Sequence, residues 1–423
     1  MEQINNRIKY FPLKVILTFL VFTELLFFLG PLNYDINNYF ILILYLLLAN
    51  LAFYRGYRKA IFVKKPLNSK RFGSIFLIKL IVFISVLFII PHFIVSWDLE
   101  TLSFSSVFDR LLLTLENPKI GQELAKVRNY KGSFTKIYLL FTPVIFAAVP
   151  LGIRYWKYLN RKYKYSIFFL ILVSIIISIG LGQRARILNT ILIIFFLRIA
   201  ADYSKMIENK RKLVLIFVPI IGLFLIYFVY SNLNRHGIEN ITFVSDSLYG
   251  HYYSGVKSFY LSNISPFVYI PLVEIQSYLS QGYYALALAL DESLDSIVFT
   301  YGFGNNLFLI KLIGTYLNID LLSSTYQGIL EQKYYIDPLT NWHTIYVWLA
   351  NDFTFVGSLV IVYYTGYLFA DSWLLTIVGK NIIATPLFSL LLISVFFFFA
   401  NNQVLSFYFI PFLVFFILYF RLK

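Results

Sequence analysis

Phe11 to Gly30 read FPLKVILTFLVFTELLFFLG, with Lys14 near the start and Glu24 as the one carboxylate. As a helix rising 1.5 Å per residue, such a run is about 30 Å long, which matches the hydrocarbon core of a bilayer. Runs of this kind recur along the chain. Spans are expected near residues 11–30, 39–54, 74–96, 137–153, 165–181, 184–201, 213–230, 344–369, 382–399 and 403–420. Of all 423 residues, 59% are hydrophobic and 13% charged, with a mean hydropathy of +0.73. No soluble fold hides so many apolar runs, so a cytosolic enzyme, a secreted protein and a nucleic-acid module are excluded as classes. The expected fold is an all-α integral membrane protein, a polytopic bundle of about 10 (10–12) transmembrane helices forming a single membrane domain.

A net charge of +15 would point to nucleic acid in a soluble protein, but here the positions of the charges carry the message. The first span follows Arg7 and Lys9 and lacks a small-residue cleavage site, which predicts a retained anchor and a cytoplasmic amino terminus. Threading the ten spans from there puts 24 basic and 4 acidic residues on the cytoplasmic side, a balance of +20. Leaving aside Glu24, the outer side holds 12 basic and 16 acidic residues, a balance of −4. That asymmetry follows the positive-inside rule, with attraction to anionic membrane lipid as a secondary consequence. Zero cysteines exclude a disulfide framework and thiolate chemistry.

Two outward segments are long, residues 97–136 and residues 231–343. Within the second, 266–290 and 307–322 are apolar, but Glu274, Gln276, Ser277 and Gln281 interrupt the first, and Lys311 and Asp320 the second. They are expected as helices lying in the interface or dipping into a cavity. If both cross instead, the count rises to twelve and the parity is kept.

The charge rule breaks at Gly180-Leu-Gly-Gln-Arg-Ala-Arg186, where an outward turn carries two arginines. Two glycines allow a tight reversal, and the next helix begins with free N–H groups beside Arg184 and Arg186. Forked, permanently charged guanidinium groups at a positive helix end suit a phosphate or diphosphate. The competing reading is that both side chains snorkel to lipid headgroups. For a helix starting at Gln183, the wheel turns Arg186 toward the bundle with Asn189, and puts Arg184 with Leu188 and Ile191.

The long outer segment begins with Arg235, a second candidate clamp for the same anion or an interfacial anchor. Asp246 and His251 lie in a polar stretch where a general acid or base could be placed. His343 stands at the outward mouth of the eighth span, and an ordinary imidazole pKa near neutrality makes it the first choice of base. Asp352, nine residues deeper, is expected to face a cavity or a partner. It lies on the opposite side of the helix from His343, which argues against a dyad. No nucleotide loop, HExxH, GxSxG or metal cluster is apparent.

In architecture the chain resembles the Wzy-type oligosaccharide repeat-unit polymerases, also called O-antigen polymerases, and more distantly the O-antigen ligases. Four stretches carry the likeness: Gly182-Gln-Arg184 at an outward helix start, Tyr278-Leu-Ser-Gln-Gly-Tyr283 in the large late loop, Asn341-Trp-His-Thr-Ile-Tyr346, and Asn351-Asp352-Phe353 leading to Gly357. Two departures stand out. The Arg-x10-Gly spacing of some members is absent, since ten residues after Arg184 and Arg235 come Phe195 and Asp246. Where many members have Asp-Phe-Gly-x-x-Gly, this chain has Asp352-Phe-Thr-Phe-Val-Gly357.

The resemblance implies a glycosyltransferase that polymerises undecaprenyl-diphosphate-linked repeat units at the periplasmic face of a bacterial inner membrane. It implies glycan contacts at Tyr278 and Tyr283, diphosphate contacts at Arg184, Arg186 and Arg235, and partners such as a chain-length regulator and a flippase. No metal or other cofactor is expected, because a charge-matched diphosphate is already a good leaving group. An O-antigen ligase or another lipid-linked sugar transferase shares this whole argument. A flippase would bury charges along a central path and use short loops, whereas here the spans are nearly free of charge apart from Glu24 and Asp352.

Overall fold

The computed structural model describes residues 5–63, 75–97, 104–116, 120, 133–202, 215, 218–220, 222–230, 256–293, 297–300, 302–338, 341–379 and 381–422. Most of the described residues are helical, and no strand is found among them. In chain order the main helices are α1 (Phe11–Leu29), α2 (Tyr39–Phe62), α3 (Ile75–Trp97), α4 (Phe104–Glu116), α5 (Ser133–Arg154), α6 (Arg161–Gly180), α7 (Arg184–Ala201), α8 (Pro266–Asp291), α9 (Leu307–Leu317), α10 (Tyr326–Tyr334), α11 (Ile345–Val378), α12 (Ala384–Phe396) and α13 (Phe409–Arg421).

Among the described residues, six helices are long and apolar enough to cross a membrane: α1, α2, α3, α5, α6 and α11. The sequence reading expects about ten, and the remaining expected spans hold shorter or more charged helices. The expected spans 382–399 and 403–420 contain helices of only 13 residues, α12 and α13. At 1.5 Å per residue that is about 20 Å. Helix α7 carries Arg184, Arg186 and Arg198 in its 18 residues. The candidate spans show why they need lipid. One stripe of α1 is buried, Leu13, Ile16, Leu20, Thr23 and Phe27, while Phe22, Leu25 and Leu29 on the other faces are exposed. Exposed leucine and phenylalanine at this density suit hydrocarbon and not water.

The structure divides into two compact units. One comprises Met1–Lys65, Glu239–Asp371 and Leu391–Phe409, and the other Pro66–Ile238, Ser372–Leu390 and Ile410–Lys423.

In the first unit, α2 and α11 meet through glycines. A Cβ on Gly56 would collide with the Tyr363 carbonyl, and one on Gly366 with the Phe53 carbonyl, so only hydrogen at both positions lets the backbones touch. Tyr57 ties α2 to the segment before α1 by donating to the Lys9 carbonyl (2.6 Å). Asn50 of α2 donates to both oxygens of Glu24 on α1 (2.8 and 3.1 Å), which gives that acid a partner inside the apolar layer.

Helix α8 is the expected interfacial segment, yet residues 280–287 are buried on every face. An interfacial helix keeps one face in contact with headgroups, so this half of α8 is an enclosed element. Of the polar residues that made it look like a surface helix, Gln276 lies in its seam with α1 and the following turn. Thr23 gives its proton to the Leu20 carbonyl (2.8 Å) and accepts from Tyr283 (2.7 Å). Gln276 accepts from the Leu32 N–H (2.6 Å), and Asn38 donates to the Ala287 carbonyl and to Asp291 (both 2.7 Å). Beyond it, α9 ends at Asn318 in the left-handed region and leaves Tyr316, Leu317 and Ile319 exposed, in keeping with the interfacial expectation for residues 307–322.

In the second unit, α3, α5 and α6 pack together, with Phe88 stacked on Phe141 (4.5 Å) and His92 on Tyr138 (3.9 Å between ring centroids). Arg154 ends α5 and donates to the Thr376 and Ile377 carbonyls (both 2.7 Å), the last turn of α11, where a cation meets the negative helix end. Gly379, at φ 69°, terminates that helix.

Candidate functional site

The arginine turn belongs to the second unit. Helix α6 ends in a Schellman motif: the Gln183 N–H reaches the Ser178 carbonyl (2.8 Å), the Gly182 N–H reaches that of Ile179 (2.9 Å), and Gly182 takes φ 62°. Gln183 then stands directly before α7, and its side chain does not cap that helix. Three residues, Leu181 to Gln183, therefore reverse the chain and leave a positive helix end beside two guanidinium groups.

The side chains do not divide as the helical wheel expects. Arg184 is the buried one, at 5% exposure: it donates to the Phe228 carbonyl (3.4 Å), and its guanidinium lies 5.1 Å from the Phe228 ring centroid. Arg186 is half-buried, and its guanidinium has no hydrogen-bond partner among the described residues. The wheel places residues by angle alone. At a helix start the neighbour beyond the end, here Phe228, decides the direction. Arg184 is a packed cation, and Arg186 is the one available to a ligand.

The remaining described candidates belong to the first unit. Tyr283 belongs to the α1–α8 core, and its hydroxyl is already paired with Thr23 and so is not offered to a glycan. Tyr278 is half-buried and meets Trp342 edge-on at 5.3 Å. His343 is not at an open mouth: it is 1% exposed, with its ring 6.4 Å from that of Trp348. Burial pushes its pKa down to about 4. The Ile336 carbonyl and the Asp337 carboxylate favour the protonated ring but are outweighed, and the carbonyl lies outside hydrogen-bonding geometry. The ordinary imidazole pKa that made His343 first choice of base is thus lost. A ring with this pKa is neutral at pH 7 and weakly basic.

Asp352 has partners, as membrane depth requires. Its Oδ1 accepts from the Thr300 N–H (3.0 Å) and Oγ1 (2.7 Å), and its Oδ2 from Asn305 (2.8 Å). Asn351 beside it accepts from the Tyr326 N–H (3.0 Å) and donates to the Gly304 carbonyl (2.9 Å) and to Gln327 (2.8 Å). The pair clasps residues 300–305 and the start of α10 to α11, and no hydrogen bond joins Asp352 to His343. Two residues later Thr354 holds φ 58°, ψ 170°, a conformation suited to glycine, and this is the position where the pattern named above has Gly.

Sequence reasoning missed Thr300, Asn305, Gln327 and Trp348. The run Gly302-Phe-Gly-Asn-Asn306 between apolar segments was the available signal for the clasp. Asp246, His251 and Arg235 lie outside the described residues. Comparison of the chain with family models, with curated proteins and with solved structures finds no match.

Proposed function

We propose that the protein is a polymerase of undecaprenyl-diphosphate-linked oligosaccharide repeat units, a glycosyltransferase of a bacterial inner membrane with ten crossings and its working face on the periplasmic side. The observation that carries the reading is Arg186, half-buried and unpaired beside the uncapped start of α7. A fixed fork at a positive helix end matches a diphosphate and stabilises the charge that grows as it leaves. The resemblance of the four motifs supplies the lipid carrier and the glycan.

In the step proposed, an acceptor hydroxyl attacks the donor anomeric carbon. The bond from that carbon to the diphosphate oxygen breaks, and undecaprenyl diphosphate departs with the electron pair. The hydroxyl proton goes to a base. With its ordinary imidazole basicity lost to burial, His343 stands beside Asp246 and His251 as one of three candidates for that base.

The test is reconstitution of the purified protein in vesicles with lipid-linked repeat units as the one glycan source. A ladder of polymer is expected, unchanged by excess EDTA. Arg186→Ala should slow it roughly 10- to 100-fold, the worth of about 1.5–3 kcal/mol for a charged hydrogen bond. Arg186→Lys should restore only part, since it keeps the charge but not the fork. Absence of a ladder from active membranes' own lipid-linked units would end the polymerase reading.

A further inference from the structure

The start of α11 carries a concentration of buried polar atoms that have no hydrogen-bond partner among the described residues. Thr344 Oγ1, Trp348 Nε1 and both ring nitrogens of His343 are buried without a hydrogen-bond partner, as are Gln281 Nε2 on α8 and Gln327 Nε2 and the Tyr326 hydroxyl on α10. Their carrier residues are each under 9% exposed.

These atoms are gathered in one region of the first unit. The Trp342 N–H reaches Gln281 Oε1 (3.4 Å), and the Thr344 methyl packs where a Cβ on Gly282 would sit. Thr344, Trp348 and Asn351 succeed one another at i, i+4 and i+7, one stripe of the helix. Asn351 holds both Tyr326 and Gln327 at the deeper end of that stripe.

A buried donor or acceptor left unpaired is costly, and native interiors hold few of them. Six such residues, drawn from α8, α10 and the start of α11, define a site built for something that supplies hydrogen bonds. The chemistry of the set says what. Gln281, Gln327 and Trp348 offer N–H donors, the Thr344 and Tyr326 hydroxyls can give or accept, and the neutral His343 ring offers one of each. None of these atoms carries a charge. An anion would call for arginine or lysine among them and a cation for carboxylate. A dense array of neutral groups that both give and accept is the signature of hydroxyls. The Tyr278–Trp342 and His343–Trp348 ring pairs add apolar faces beside the polar ones.

We infer that the α11 stripe, with Gln281 and Gln327, is a subsite for the sugar hydroxyls of the substrate, a neutral glycan-recognition site distinct from the arginine turn. This rests on the reading of the substrate as a lipid-linked glycan. Ordered water offers the same hydrogen-bond chemistry, and the test separates the two.

Full-length protein in nanodiscs is titrated with lipid-linked repeat unit and, separately, with undecaprenyl diphosphate that bears no sugar. The wild type should hold the glycosylated lipid more tightly. Trp348→Phe, which removes only the N–H, and Thr344→Val should each cut that preference about 2- to 10-fold while leaving affinity for the bare diphosphate unchanged. Thr344→Val should also melt at or above the wild-type temperature, because it deletes a hydroxyl that the protein leaves unpaired. A preference that survives both substitutions means that water alone serves these atoms, which overturns the subsite and leaves the proposed function standing. A Thr344→Val protein that melts clearly lower shows the hydroxyl already paired and also overturns the subsite. A wild type that does not distinguish the two lipids removes the subsite together with the reading on which it rests.

Discussion

His343 converts its burial into a pH dependence with a definite sign. Its folded pKa of about 4 lies below the ordinary 6.5. Between those values the unfolded chain binds the proton that the folded one refuses, so stability is complete above about pH 6.5 and is lost as the pH falls toward 4. The full shift amounts to about 3 kcal/mol. Melting curves in detergent should show the wild type losing stability from pH 7 to pH 4 more steeply than His343→Phe, which keeps the ring contact with Trp348 and cannot titrate. Parallel curves would mean that the ring is solvated. The same residue shows what position in a sequence hides. A histidine two residues before a span looks like a mouth, and only the chain folded over it makes it interior.

At the level of elements, α11 is two helical stretches joined at Thr354. Threonine at φ 58°, ψ 170° costs on the order of 1–3 kcal/mol, since its branched Cβ crowds the backbone there. The clasp made by Asn351 and Asp352 on the preceding turn is what holds it. Thr354→Gly should therefore raise the unfolding midpoint, by an amount corresponding to roughly 1–2 kcal/mol once the extra freedom of glycine in the unfolded chain is subtracted. A lowered midpoint would show that the kink is not strained. The clasp was half legible: Asp352 in an apolar run demanded a partner, but Thr300 and Asn305 lie about 50 residues away in a segment whose pairing no local pattern reveals. Helix α12 makes a related point. All of 384–400 is buried, so its apolar faces meet protein on every side, although its composition is that of a lipid-facing span.

For the whole molecule the expected orientation is open to direct test. With 24 basic and 4 acidic residues on one side and 12 and 16 on the other, exchanging sides is costly. An alkaline-phosphatase fusion at residue 250 should be active and one at residue 65 inactive. The reverse pattern would place the arginine turn in the cytoplasm and remove the periplasmic site. The two compact units had no counterpart in the sequence, because each is assembled from three separated stretches.

Hydropathy is a local quantity, and so the sequence by itself determined that the chain is a helical membrane protein, where α1, α2, α3, α5, α6 and α11 run, and that a glycine turn with two arginines joins α6 to α7. Which apolar helices meet lipid and which are enclosed depends on neighbours distant in the chain. So do the burial of Arg184 rather than Arg186, the loss of basicity at His343 and the closure of Tyr283 within the α1–α8 seam. Direction, dielectric surroundings and hydrogen-bond partners are set by what packs against a side chain, and that was decided only by the tertiary structure.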